Sequence, residues 1–280
     1  MNANRSAATT NPPGADPDGA PTTAAPSRAR RAGRTRRRRF PVGPLVVLVV
    51  AAVVWYLLSL ALFVVPEPVA TVRALIDNFS STEFTDAVGK TALGGLVAFL
   101  LAMVAGVLLG ALIGLSRLAR RILEPTILAL NGIPKIAIYP VLMLVFGLGS
   151  TSQVTMGFIF GVFPVIINFG GALATVPEIY GRVARSLAMP WYLRLLKLDI
   201  PAALPSLAVS LRLAFSLSLV GVVFAEIIGS KAGLGQIIIA KYTLAQYELM
   251  GAAVLLLIVT SLVGTTSLWA LERHLARRWR

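Results

Sequence analysis

Lys135, Arg212 and Glu226 are charged residues set in or at the edges of long apolar runs, and Asn131 and Asn168 are polar residues in the same setting. A charge inside a bilayer costs roughly 2.5–3.5 kcal/mol on insertion scales, so such residues usually pair with something or meet a charged solute. Lys135, between Pro134 and Pro140, presents an ammonium that an anion would neutralise; the structural alternative is a lysine at a helix break, snorkelling toward headgroups. Arg212 reads as the partner of a carbonyl or headgroup one or two turns inside its run. Glu226, near the end of the same run, reads equally as a cap, as the anchor of a gating loop or as a pore residue. Asn131 and Asn168 are inter-helix hydrogen-bond candidates first and solute ligands second. Tyr139 is a packing or belt residue and a pathway candidate. The chemistry on offer is recognition: nothing here forms a general acid–base or nucleophilic constellation.

The rest of the composition narrows the choice further. The chain has no cysteine, which excludes thiolate metal sites, disulfides and cysteine catalysis, and its single histidine, His274, sits in a basic tail. There is no G-x-x-x-x-G-K-[ST] cradle for a nucleoside triphosphate. The formal charge of +14 raises the prospect of a nucleic-acid partner, but the positions of the basic residues argue against it. Nine of 26 lie in the first 40 residues and most of the others flank apolar runs, as topology signals do.

The elements that must position these residues are membrane spans. Hydrophobic residues make up 56% of the 280 and charged residues only 14%, against about 25% charged in soluble domains. Residues 1–40, rich in Ala, Pro, Thr, Gly and Arg, are expected to be disordered. The run of arginines from Arg34 to Arg39 precedes Leu45–Val65, 21 residues without a charge; that exceeds a signal h-region, so a retained first span is expected, with an external segment completing 41–84. Further spans are expected at about 91–115, 125–148, 154–175, 206–228 and 249–270, six in all, which makes an all-α polytopic bundle. Gly106, Gly110 and Gly114 recur every four residues, a stripe suited to close helix packing. Pro134, Pro140 and Pro164 should kink the spans that hold them. With the N-terminus inside, segments 1–44, 116–124, 176–205 and 271–280 carry 20 of the 26 basic residues, so both termini are expected in the cytoplasm of a bacterial inner membrane. The longest of these internal segments, 176–205, is too charged to span yet amphipathic; it suits either a surface helix in the lipid interface or a docking element for a partner.

Several stretches resemble the permease subunits of bacterial ATP-binding-cassette importers, most closely the nitrate, sulfonate and taurine branch. Asn131-Gly132-Ile133-Pro134-Lys135-Ile136-Ala137 leads to Tyr139-Pro140 and Phe146-Gly147-Leu148-Gly149, similar to I-P-[KR]-x-A…P…W-F-G-x-G. Phe163-Pro164-Val165-Ile166-Ile167-Asn168 is similar to F-[FP]-P-x-x-x-N, and Ala225-Glu226-Ile227 with Gly233-Leu234-Gly235 to A-E-[ILM]…G-[IL]-G. Ile200-Pro201-Ala202-Ala203-Leu204-Pro205 matches L-P-A-A-L-P, which sets the register of the E-A-A-x-x-x-G loop before it. Arg182 then takes the place of the glutamate, Val183 and Ala184 those of the alanines, and Ala188 that of the glycine.

The resemblance covers about 85–275, the permease core, followed by a basic tail at 276–280. It implies a type I importer permease that binds no cofactor itself. Arg182, Val183, Ala184, Arg185, Ser186, Leu187, Ala188, Met189, Pro190, Trp191, Tyr192, Leu193 and Arg194, with Pro201 and Pro205, would form the coupling loop, its coupling helix running from about Ser186 to Leu195. Cytoplasmic ATPase subunits would dock there and use the ATP. A second permease copy would complete the pathway, a binding protein or lipoprotein would deliver solute outside, and nucleic acid plays no part. The branch implies a small anion (a sulfonate, taurine or nitrate) or a pyrimidine-type vitamin precursor. An ion-gradient-driven secondary transporter is the competing class; it would favour acidic residues within spans and internal repeats.

Overall fold

The computed structural model describes residues 42–278, with side chains over 46–270. The expectations for 1–40, for His274 and for the side chains of the 276–280 tail lie outside these described residues. The chain divides at Leu45–Val46 into two units, and the second holds all the described side chains. Among the described residues every regular element is a helix: α1 (Val42–Ala61), α2 (Pro68–Asn78), α3 (Thr82–Leu115), α4 (Arg117–Gly132), a 3₁₀ turn (Lys135–Ile138), α5 (Tyr139–Phe146), α6 (Ser150–Ala174), α7 (Glu178–Ser186), α8 (Trp191–Arg194), a widened turn (Leu195–Asp199), α9 (Ile200–Gly229), α10 (Leu234–Thr243) and α11 (Tyr247–Arg278).

Four helical stretches are long and apolar enough to cross a bilayer: α3, α6, the continuous rod Trp191–Gly229, and Tyr247–Ala270 of α11. The expected third span is two pieces, α4 and the stretch Lys135–Phe146, bent by 85° at the break. Pro134 causes the break. It donates no hydrogen bond and forces the residue before it out of the helical region, and Ile133 is indeed extended (φ −68°, ψ 135°). Pro140 falls in the first turn of α5, where proline is tolerated. The first expected span appears as the shorter apolar helix Val46–Ala61. Six expected crossings therefore resolve, among the described residues, into four long apolar helices, one broken pair and one short apolar helix.

α3 begins nine residues before the apolar run, because Ser81 caps it by accepting a hydrogen bond from the Phe84 N–H. Its 34 residues span about 51 Å, so the turns bearing Glu83, Asp86 and Lys90 stand outside a hydrocarbon core of about 30 Å.

The centre of the bundle is α3, α6 and α9, packed at backbone distance. The predicted glycine stripe faces α6: a Cβ on Gly110 would stand 3.2 Å from the Ile166 carbonyl oxygen, and one on Gly114 2.7 Å from that of Gly170. Across the other face of α6, a Cβ on Gly221 of α9 would stand 2.8 Å from the Gly157 Cα. Phe99, Val165 and Ala214 fill the space among the three helices, and Phe169, Leu173 and Ala203 continue it toward one end. At the opposite end α2 and α10 lie over α3 and α11, with Phe84, Leu234, Ile237, Ala252 and Leu256 sharing one cluster. Most of the remaining surface is apolar: Leu144 and Phe63 are almost fully exposed, as suits a chain whose solvent is lipid.

The packing yields a direct test. Gly221→Ala should lower the melting temperature in detergent by the equivalent of about 1–3 kcal/mol, and Gly221→Leu should abolish monodisperse folding. Gly89, with nothing near its missing Cβ, should accept alanine with no loss or a slight gain. Equal effects at the two positions would contradict the helix contacts described.

Candidate functional site

The segment expected to hold a single coupling helix at about 186–195 instead forms a hairpin. α7 ends at Ser186, α8 begins at Trp191, and residues 187–190 make the turn. The helix closes with two reverse bonds: the Met189 N–H donates to the Ala184 carbonyl at 2.9 Å and the Ala188 N–H to that of Arg185 at 3.0 Å. This is the Schellman arrangement, whose penultimate residue must be left-handed. Ala188 sits there with φ +45°. The sequence pattern usually has glycine at this position, and the backbone explains why: only glycine adopts that conformation without a Cβ penalty. Pro190 then ends the turn and starts α8.

Arg194 links the two arms of the hairpin, pairing along its own rod with Asp199 and lying over α7. The Arg194 Nε stands 3.2 Å from Asp199 Oδ2, and Asp199 is buried. The guanidinium lies over Gly181 of α7, where a Cβ would come to within 3.7 Å of it. Beside this contact opens a cleft of about 680 Å³, lined by Arg117, Arg120, Glu178, Arg185, Trp191 and Arg194 among others. Asp199 and Gly181 carry this geometry, and neither was among the residues expected to matter. Asp199 was legible only as a charge interrupting an amphipathic stretch.

Asn131 and Lys135 come together at the α4–α5 break. The Lys135 ammonium donates to the Asn131 backbone carbonyl and to its Oδ1, both at 3.0 Å. It also faces the rings of Phe163 and Phe160 of α6, 5.1 and 5.9 Å from their centroids. The ammonium thus caps a carbonyl that Pro134 leaves free, and the rings add a further attraction of about 0.5–2 kcal/mol. Lys135 remains half-buried. Asn168 lies on the same stripe of α6 as Phe160 and Pro164, four residues apart each time; its backbone carbonyl accepts from the Ser206 hydroxyl.

Tyr139 and Glu226 are elsewhere, inside the chain's own fold. Tyr139 is fully buried among Leu142, Met156 and Ala225, with its ring edge-on to Phe224. Glu226, 1% exposed, accepts from the Thr91 hydroxyl at 2.9 Å and from the Gly235 N–H at 2.9 Å. The Thr91 hydroxyl in turn accepts from the Leu234 N–H at 2.8 Å. Carboxylate and hydroxyl together satisfy the first N–H groups of α10, where a helix favours negative charge. Gly233, at φ +105°, turns the chain against the carboxylate, where a Cβ would collide with it. Gln153 completes the set by donating to the Ser230 hydroxyl at 2.7 Å. The linker between α9 and α10 is therefore tied to α3, α6 and α9 at once. Of the readings open for Glu226, the cap and loop anchor is the one the geometry forms. Thr91, Gln153 and Ser230 were not anticipated: hydroxyls and amides at the edges of apolar runs carry no sequence signal until the fold pairs them.

Two sets of variants test these sites. Ala188→Gly should raise the melting temperature by the equivalent of about 1 kcal/mol. Glu226→Ala, which leaves the Gly235 N–H unpaired, should cost about 2 kcal/mol or more. Glu226→Gln should cost less, because its amide oxygen still accepts that bond. An unchanged melting temperature for Glu226→Ala would remove the network from what holds α10.

Comparison with known proteins agrees with this architecture. Residues 102–280 match the family model described as binding-protein-dependent transport system inner membrane component. A permease of Bacillus subtilis (strain 168) named for aliphatic sulfonates transport is 28% identical over 85% of this chain and 86% of its own. A nitrate import permease protein of Leptolyngbya laminosa is 28% identical over 85% and 90%. Among solved structures, a chain of the MetNI methionine ABC transporter in an inward-facing conformation superposes with a TM-score of 0.60 at 18% identity, covering 69% of this chain and 95% of that one; this likeness bears on the fold. The chain belongs to the binding-protein-dependent transport system inner membrane components, the permease subunits of ABC importers.

Proposed function

We propose that the chain forms half of an ATP-driven pathway importing a small anion, with a second copy supplying the other half and the 178–199 hairpin receiving a cytoplasmic ATPase. The observation that carries this reading is the hairpin: a rigid, basic, capped structure at the end of a rod too long for the bilayer, in a chain without a triphosphate-binding motif of its own. The hairpin end is assigned to the cytoplasm because the segments on that side hold most of the basic residues. A binding protein or lipoprotein then presents solute to the α2–α10 end. Closure of the ATPases moves the hairpins, and the tightly packed α3–α6–α9 core follows as a body between inward- and outward-open states.

An anionic solute is supported by Lys135, half-buried with its ammonium oriented by Asn131 and the two phenylalanines, and by the anions for which the sulfonate and nitrate relatives are named. Asn168, on the same stripe, is the second candidate contact. Tyr139 and Glu226 support the pathway from within the protomer.

The test is uptake of labelled nitrate, taurine, an alkanesulfonate and bicarbonate by a strain lacking the chromosomal gene and carrying it on a plasmid. Uptake that survives collapse of the ion gradients while ATP is maintained, and stops when ATP is depleted, is the expected result; the reverse pattern would assign a secondary transporter. Lys135→Ala should weaken uptake of the favoured anion about tenfold or more, and Lys135→Arg should retain most of it. An undiminished rate in Lys135→Ala would remove the ammonium from the pathway.

A further inference from the structure

The hairpin has a surface that its own fold does not use. Trp191 is 77% exposed and Leu187 65%, and Ile179, Val183, Tyr192 and Leu196 are exposed around them. Few soluble surfaces leave so many large apolar side chains together without a partner. Around this floor stand Arg182, Arg185 and Lys197, all exposed, against a single exposed acid, Glu178. The other acid of the segment, Asp199, is buried and already matched by Arg194. Arg117, Arg120 and Arg121 of α4 extend the positive side, the first two across the shared cleft.

The position of this surface decides what covers it. The rod Trp191–Gly229 has 39 residues, about 58 Å, whereas a bilayer with its headgroups is about 40–45 Å thick. Roughly nine to twelve residues project beyond it, and the end bearing Lys197, Asp199 and the Arg194 ion pair is the polar one. The hairpin turn therefore stands past the headgroups, where lipid tails do not reach its tryptophan. A protein groove fits it.

We infer that the partner's groove has an apolar floor for Trp191, Leu187 and Val183 and an acidic rim whose carboxylates pair with Arg182 and Arg185. This rests on the docking of an ATPase at the hairpin proposed above, and it fixes the sign of the recognition. With Arg182 and Arg185 both exposed and Asp199 already matched by Arg194, the rim of the hairpin is positive and a rim of carboxylates is its match. A charged rim of this kind separates partners because a basic groove is repelled as well as left unpaired.

The experiment uses the full-length tagged chain, expressed in its own host and isolated in mild detergent as wild type, Arg182→Glu/Arg185→Glu, Arg182→Lys/Arg185→Lys, and Lys231→Glu as a remote charge control. The readouts are ATP hydrolysis in the eluate, the identity of the co-purifying subunit, and zero-length carbodiimide crosslinking of the lysine variant, which joins an amine only to a carboxylate in ion-pair contact. The expected result is an ATP-hydrolysing subunit recovered with wild type, with Lys231→Glu and with the lysine variant, but reduced about tenfold or more with the glutamate variant. Crosslinks should run from position 182 or 185 to Asp or Glu of that subunit. Full recovery with the glutamate variant, or recovery with the lysine variant without such crosslinks, would overturn the acidic rim while leaving the docking reading in place. No ATPase with wild type would overturn both. Loss of bound anionic phospholipid, rather than of a subunit, in the glutamate variant would assign the basic rim to the membrane surface and overturn the inference.

Discussion

Everything in this molecule depends on three helices approaching one another closely enough for backbone to touch backbone. In hydrocarbon there is no hydrophobic gain from bringing helices together, because lipid tails are as apolar as leucine; van der Waals contact and lipid release remain. α3, α6 and α9 obtain that contact by omitting the Cβ where they cross, at Gly110 and Gly114 against the Gly170 region and at Gly221 against Gly157. Side chains that would hold the helices apart are absent at the crossings and return between them as Phe99, Val165 and Phe169. A core joined this way is stiff, and stiffness lets a push at one end be felt at the other.

The two ends of the core are finished differently, and the difference follows from what surrounds each. At one end the α9–α10 linker is fastened by side chains already inside the bundle: Glu226, Thr91 and Gln153 each reach it from a different helix. The N–H groups of a helix start buried near the membrane must find partners within the protein, since water is scarce there. At the other end the chain leaves the membrane and builds the α7–α8 hairpin from local bonds: a Schellman closure, a proline and one ion pair to the root of α9. That end can rely on water for its remaining polar groups, and so it leaves its large apolar side chains and arginines facing outward.

Between these ends lies the break at Pro134. A helix interrupted in lipid exposes carbonyls that must be satisfied. Lys135 answers with its own ammonium, reaching back to the Asn131 carbonyl while the rings of α6 cover it. One residue thus repairs the break and presents a positive charge beside it.

By itself the sequence determined the membrane class, the approximate places of α3, α6, α9 and α11, and the glycine stripe. Those properties are carried by hydrophobic run length, residue spacing and the flanking charges, which are local and additive along a chain. It marked Pro134 as an interruption, but not that the break would bend a span by 85°, and it gave Pro190 only as one residue of a loop, not as the end of a turn that folds the segment into a hairpin. Bend angles depend on what packs against the freed carbonyls. Glu226 was visible as a suspect charge, whereas its partners were not. Thr91 lies 135 residues away in sequence, and a lone hydroxyl or amide at the edge of an apolar run looks the same whether it meets a carboxylate, a backbone or water. Only the tertiary structure decided that, because a hydrogen bond between distant residues exists once close packing of the helices has fixed their distance and direction, and nothing in the composition of either segment records it.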